Sequence, residues 1–187
     1  MSVWRWVESI VVLVPVRLVL GGAFVVAAWM KLFDRVWQVN PVTGFHRDPT
    51  FAFAESIAAY KILDPARHEH AIAMAAYMLP WGELVGGVLL VIGLWTRSAA
   101  LLIGTLLVMF TAANLSVIFR PDVSASCACF GSLEWPCGGS VTWCQVVRNV
   151  VLLTMAGYVL WRGGGAVGFD RDRPRGGACL DDAGKGA

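Results

Sequence analysis

Charge is scarce in this chain. Lys, Arg, Asp and Glu together make up 15% of its 187 residues, where a soluble domain carries about 25%. No cluster of Lys and Arg with interleaved aromatics occurs, so the electrostatic footprint of a nucleic-acid binder is missing. No internal repeat is visible, which argues against the repeat-built architecture of standard transporters. Histidine is limited to His46, His68 and His70. The His68-Glu69-His70 triplet alone is not a metal site, and all three read as solvated. Asn40-Pro41-Val42-Thr43 places Pro after Asn and is therefore no glycosylation acceptor. The first apolar run is too long for a signal-peptide core and has no convincing cleavage site, so it reads as retained. A net charge of +2 says little about partners.

Apolar surface dominates what is present. Hydrophobic residues reach 57%, and mean hydropathy is +0.64. The excess falls in four runs: Val7 to Met30, Tyr77 to Trp95, Ser98 to Phe119 and Val141 to Trp161. Each approaches the roughly 20 residues that cross about 30 Å of hydrocarbon at 1.5 Å per residue. In lipid the backbone must satisfy its own polar groups, so each run is expected to be helical. Runs two and three are joined by a tight turn near Thr96 and Arg97, which makes them an antiparallel hairpin. Between runs one and two, Phe51 to Leu63 places Phe53, Ile57, Tyr60 and either Ile62 or Leu63 toward one side at helical spacing. That pattern predicts an amphipathic helix lying at the interface or capping the bundle. Asp64-Pro65 should start a further helical stretch leading into the second run, with Pro80 as a kink. The expected fold class is all-α: an integral membrane four-helix bundle with an extra amphipathic helix between helices 1 and 2. Residues 1–161 form that domain. Residues 162–187, rich in Gly, Arg and Asp, are expected to be a disordered tail. Cys179 in that tail reads as a free thiol.

Cationic residues near helix ends give the orientation. Arg5, Arg97, Arg162, Arg171, Arg173 and Arg175 fall on one side. Lys31, Arg35, Arg47, Lys61, Arg67 and Arg120 fall on the other, with Arg148 close to it. The counts nearly tie. Discounting the long loop after helix 1 favours both termini in the cytoplasm and the cysteine loop outside the cytoplasmic (inner) membrane.

Four thiols, Cys127, Cys129, Cys137 and Cys144, lie within eighteen residues of one another between helices 3 and 4. On the oxidising side of a membrane such thiols form disulfides. A bridge between Cys127 and Cys129 would close a very small ring, and strained bridges reduce easily. Cys144 lies near the start of helix 4, where a thiol is acidified. Redox exchange, two structural disulfides and a zinc site all remain open, although CxC-x7-C-x6-C is not the usual zinc spacing. Sequence alone cannot choose among the three possible pairings. Arg148 shares a helix face with Cys144 and could stabilise its thiolate, or reach toward lipid headgroups. Charges within apolar runs usually pair or face a cavity. Arg17, near the middle of helix 1, and Glu83 in helix 2 are therefore expected to face the interior. They would form either a polar pocket for a quinone headgroup or an ion pair that fixes packing. Lys31 and Asp34 mark the end of helix 1. Gly21, Gly22, Gly82, Gly86 and Gly87 permit close helix approach. The nine Trp residues mostly sit near helix ends, as an interfacial belt requires.

The ordered set of motifs resembles the DoxX-like superfamily, specifically its methylamine-utilisation MauE type. The matching pieces are Ala28-Trp29-Met30-Lys31-Leu32, Phe53 to Leu63, and Leu79-Pro80-Trp81-Gly82-Glu83-Leu84-Val85-Gly86-Gly87. Gly93-Leu94 and Arg97 follow, then Cys127-x-Cys129-Phe130-Gly131 and Arg148-Asn149. They cover most of residues 15–160. The resemblance implies an inner-membrane protein in the maturation of periplasmic enzymes of the methylamine dehydrogenase type. It also implies a thioredoxin-like periplasmic protein or a dehydrogenase subunit as partner. The bundle further resembles the quinone-linked disulfide generators of the vitamin K epoxide reductase and DsbB type in architecture. Cys137 and Cys144 depart from the family pattern as a second pair or a local staple. The expected function is thiol–disulfide exchange, with Cys127 and Cys129 as the exchanging pair and quinone as a candidate acceptor. The rival is a non-catalytic membrane anchor or assembly subunit of a periplasmic dehydrogenase or sulfur-oxidising complex.

Overall fold

The computed structural model describes residues 9–33, 49–62, 64–120, 137 and 141–163. A π-helical turn, Ser9–Leu13, leads into α1 (Val14–Phe33). There follow α2 (Pro49–Ala59), α3 (Pro65–Ile92), α4 (Thr96–Ile118) and α5 (Trp143–Arg162). No strand occurs among the described residues. Among the described residues, four helices are long and apolar enough to cross a membrane: Val11–Phe33, Arg67–Ile92, Thr96–Ile118 and Trp143–Arg162. The fifth, α2, is the extra helix between the first and second spans. Cys127, Cys129, Asp34, Arg35, His46 and residues 164–187 lie outside the described residues.

The boundaries follow local chemistry. Helix α3 starts at Pro65, where a missing N–H costs nothing, and the N–H groups of Arg67 and His68 both donate to the Asp64 carbonyl. Its backbone leaves helical geometry at His68 (φ −125°, ψ 27°) rather than at Pro80, which is buried inside the continuous helix. The α3–α4 turn closes with Gly93 at φ 82° and Trp95 at φ 48°. Helix α5 opens with Thr142 and Gln145 in a capping box.

Helices α1 and α3 cross at glycine. A Cβ on Gly21 would lie 2.7 Å from the Gly87 carbonyl oxygen, and one on Gly87 would lie 2.8 Å from that of Gly21. Around this contact Leu20, Phe24, Leu90, Ile103, Leu107 and Val159 form one continuous core. The opposite faces carry exposed Val, Leu, Met and Trp, as lipid-facing surfaces do.

The bundle has two distinct ends. At one, a Cβ on Gly93 would run into the Arg17 guanidinium, and one on Gly163 would lie 2.9 Å from Arg97 Nε. Trp95 and Trp161 are exposed at this end. At the other, Phe119 and Trp143 meet edge to face at 6.3 Å. That end carries Cys137, Cys144 and Arg120.

Candidate functional site

Cys137 and Cys144 are joined by a disulfide, with Cα atoms 5.7 Å apart. Cys144 occupies the first turn of α5 and is exposed, whereas Cys137 is 5% exposed. Gln145 ties this bridge to the helix start. Its Oε1 accepts from both the Thr142 backbone N–H and the Thr142 hydroxyl, each at 2.7 Å. Its Nε2 donates to the Cys137 carbonyl at 3.1 Å. Sequence reading passed over Gln145, although Thr142-x-x-Gln145 is a capping-box signature ahead of an apolar run. Both sulfurs are bonded to each other and so are unavailable as zinc ligands. No group of three or more metal-ligating side chains occurs among the described residues.

Arg148 sits half-buried one turn along α5 from Cys144. Asn149 beside it is 1% exposed, and neither atom of its amide has a hydrogen-bond partner. An unsatisfied buried amide costs about 1–3 kcal/mol, so this position is unusual.

The second region lies in the bundle interior. Lys31 Nζ contacts both carboxylate oxygens of Glu83, at 2.6 and 2.8 Å, with side chains 2% and 0% exposed. The Phe53 and Phe110 rings flank Lys31 Nζ, each 5.1 Å from it. Lys31 belongs to the last turn of α1, but its long side chain folds back into the bundle. Arg17 does not join Glu83. It is buried near the opposite end, where its Nε donates to the Leu90 carbonyl at 3.2 Å. Seven residues of α3 separate that carbonyl from Glu83, about 10 Å at the helical rise. Arg17 therefore serves a late carbonyl of α3, a role suited to a cation at a helix C-terminus.

Helix register puts Asn149 near the depth of Glu83. Gly86 of α3 faces Ile103 of α4, and Gly104 faces Leu153 of α5. One turn toward the cysteine end from these contacts lie Glu83, Leu107 and Asn149. Above this layer the Tyr60 hydroxyl donates to Asn114 Oδ1 at 3.1 Å. Arg120 binds the Tyr60 and Lys61 carbonyls, at 3.3 Å each, and fastens the end of α2 to α4. Tyr60 also packs with Val117, Ala113 and Val141 in one small cluster. Val141 is three residues from Cys144, so the interior polar layer and the disulfide end are contiguous.

A four-helix, multi-pass membrane protein with a helical cap and a cysteine-bearing end is the class these features define. Within that class the chain belongs to the methylamine utilisation protein MauE family, whose model matches residues 8–162. No curated protein and no solved structure gives a significant match.

Proposed function

We propose that this protein catalyses thiol–disulfide exchange at the outer face of the cytoplasmic membrane, in the maturation of periplasmic methylamine-oxidising enzymes. The observation that carries this reading is the Cys137–Cys144 disulfide with its exposed sulfur-bearing residue on the first turn of a spanning helix. A thiolate of a thioredoxin-like partner or a dehydrogenase subunit attacks the accessible sulfur of Cys144. The S–S bond breaks, Cys137 leaves as the thiolate, and a mixed disulfide forms. The partner's second thiol then displaces Cys144, so the partner is oxidised and this pair is reduced by two electrons and two protons. The helix N-terminus and Arg148, four residues on, favour the Cys144 thiolate. Cys127 and Cys129 form a second exchanging pair, open to the same attack by the partner's thiolate. A lipid-soluble acceptor of the quinone class restores the disulfide. The domain spans residues 1–161, within a DoxX-like superfamily.

The orientation has support in the way cations are used. Lys31 is neutralised inside the bundle and drops out of the positive-inside count on the cysteine side. Arg17, Arg97 and Arg162 share the opposite end. This favours cytoplasmic termini and an outward cysteine loop.

Gel-shift alkylation in intact cells tests the function. Wild-type thiols should cycle between oxidised and reduced forms when the partner is overexpressed. The Cys137→Ser and Cys144→Ser variants should leave the partner reduced. If the cysteines stay locked as disulfides and their replacement leaves partner oxidation unchanged, the chain is instead a non-catalytic anchor or assembly subunit.

A further inference from the structure

A cavity of about 240 Å³ opens between α2, α3 and α4. Tyr60 and Ile62 border it from the α2 side, Ala75 and Leu79 from α3, and Met109 and Ala113 from α4. Almost all of the surface it presents is carbon. A buried water needs about two to four polar partners, and this wall supplies almost none. Left empty, the space forfeits dispersion contacts along its whole lining. The wall therefore calls for hydrocarbon.

Depth decides which hydrocarbon. Arg120 follows the span Thr96–Ile118 and Arg67 begins the span Arg67–Ile92, so the two mark the same membrane boundary. At about 1.5 Å per residue, Ala113 and Met109 lie roughly 10 and 16 Å below Arg120, and Ala75 and Leu79 roughly 12 and 18 Å below Arg67. One leaflet of hydrocarbon is about 15 Å deep, half of the roughly 30 Å core. The chamber thus runs alongside the acyl chains of the leaflet on the cysteine side. A methylene fills roughly the space of a water, about 30 Å³, so the chamber takes about eight of them, part of one chain and not of two.

Charge at the mouth completes the site. Lys61 is exposed and lies between Tyr60 and Ile62, which both border the chamber. The Arg120 guanidinium donates to the Tyr60 and Lys61 carbonyls, each at 3.3 Å, and to the Ser116 carbonyl and hydroxyl. Those bonds to neutral oxygens fix Arg120 beside Lys61. No carboxylate among the described residues pairs with either cation. Two cations at headgroup level attract a phosphate.

We propose that this cavity holds one acyl chain of an anionic glycerophospholipid, with the phosphate at Lys61 and Arg120 and the second chain left in the bilayer. The lipid fills the gap under α2 and so fastens the helical cap to the spans. A headgroup that adds an ammonium is disfavoured, because the same cations repel it.

Phosphatidylglycerol with a diazirine midway along one chain tests the site on the purified full chain in lipid nanodiscs. Label should concentrate on the peptides of α2, α3 and α4 that border the chamber. Ala113→Phe fills the chamber and should lower that label about fivefold or more. Phosphatidylglycerol should displace the label several-fold better than phosphatidylethanolamine does, and Lys61→Gln should remove most of that preference. Adding phosphatidylglycerol to detergent-purified protein should raise its thermal midpoint, and should raise it less for Ala113→Phe. Each protein is there compared with itself, so a variant of lower stability still reports. Label spread evenly over all four spans overturns the proposal. So does undiminished label in folded Ala113→Phe protein, or equal displacement by the two lipids in the wild type. A wild-type chamber that takes no label because a second copy of the chain covers it does the same.

Discussion

Lys31 and Glu83 show how position alone can mislead about a charged residue. In sequence, Lys31 follows Ala27-Ala28-Trp29-Met30 and looks like the end of a span. Glu83 looks like half of a pair with Arg17, because both are isolated charges in apolar runs. The pairing depends on helix register, which no local pattern encodes. Arg17 lies level with Gly93 and Leu90, while Lys31 reaches back along α1 to Glu83, the direction that helical side chains favour. Removing one partner of a buried pair leaves an uncompensated charge and costs about 3–5 kcal/mol. Lys31→Met and Glu83→Gln should each lower the thermal unfolding midpoint of the solubilised protein markedly. The combined Lys31→Met, Glu83→Leu protein should recover most of that loss. If the double variant is as unstable as the singles, the pair has a role other than mutual neutralisation. Gly93 makes a second case. It has φ 82°, and a Cβ there would meet the Arg17 guanidinium. Gly93→Ala should therefore destabilise through both backbone and side chain, by about 1–3 kcal/mol from the strained φ plus displacement of Arg17. If Arg17→Leu does not relieve part of the defect in the Gly93→Ala background, the steric half of this account is wrong.

At the scale of elements, hydropathy and length carried most of the information. The four spans and the α2 cap could be read because lipid leaves helix as the only local solution for a long apolar run. Spacing alone put Phe53, Ile57 and Tyr60 on one buried side, and Phe53 and Tyr60 are buried; Ile62, also assigned to that side, is 57% exposed past the end of α2, and Leu63 lies outside the described residues. Which helices touch could not be read, since every run is apolar on several faces. The α1–α3 contact rests on Gly21 and Gly87. Replacing either by Leu should destabilise the bundle by about 1–3 kcal/mol through overpacking. Gly22 has open space where its Cβ would project, so Gly22→Leu should be close to neutral. Equal thermal stability for all three variants would contradict the crossing. Helix α5 offers a different test. Gln145→Leu removes the bond to the Cys137 carbonyl and both contacts from Thr142. The Cys137–Cys144 bridge should then reduce several-fold faster in a glutathione titration, because the loop is no longer held. An unchanged rate would mean that the disulfide alone positions the loop.

For the molecule as a whole, the two ends differ in kind. At one end Arg17 is set against Gly93 and the Leu90 carbonyl, Arg97 against Gly163, and Arg162 over the Trp161 ring. The other end holds the disulfide, the capping box and the α2 clamp. A cysteine introduced at exposed Trp95 and one at exposed Trp161 should share one labelling side in intact cells, with native Cys144, after reduction, on the other. A membrane-impermeant maleimide that labels all three equally, before lysis, would contradict the antiparallel bundle. The cysteine-bearing end was legible as four cysteines between two spans, but the connection between that end and the interior was not. It depends on Tyr60, Asn114 and Val141, three unremarkable residues that meet only after α2 folds onto the bundle.

Gln145 has one more consequence. The hydrogen bond from Gln145 goes to the Cys137 backbone carbonyl and not to its sulfur, so on the proposed exchange reading opening the Cys137–Cys144 bond need not break it. The freed thiol stays leashed to the helix that carries its partner. Reclosure is then an intramolecular event, at an effective concentration on the order of mM or above. If the proposed exchange holds, the reduced pair would act less like two cysteines than like one tethered reagent, reset by whatever removes its electrons.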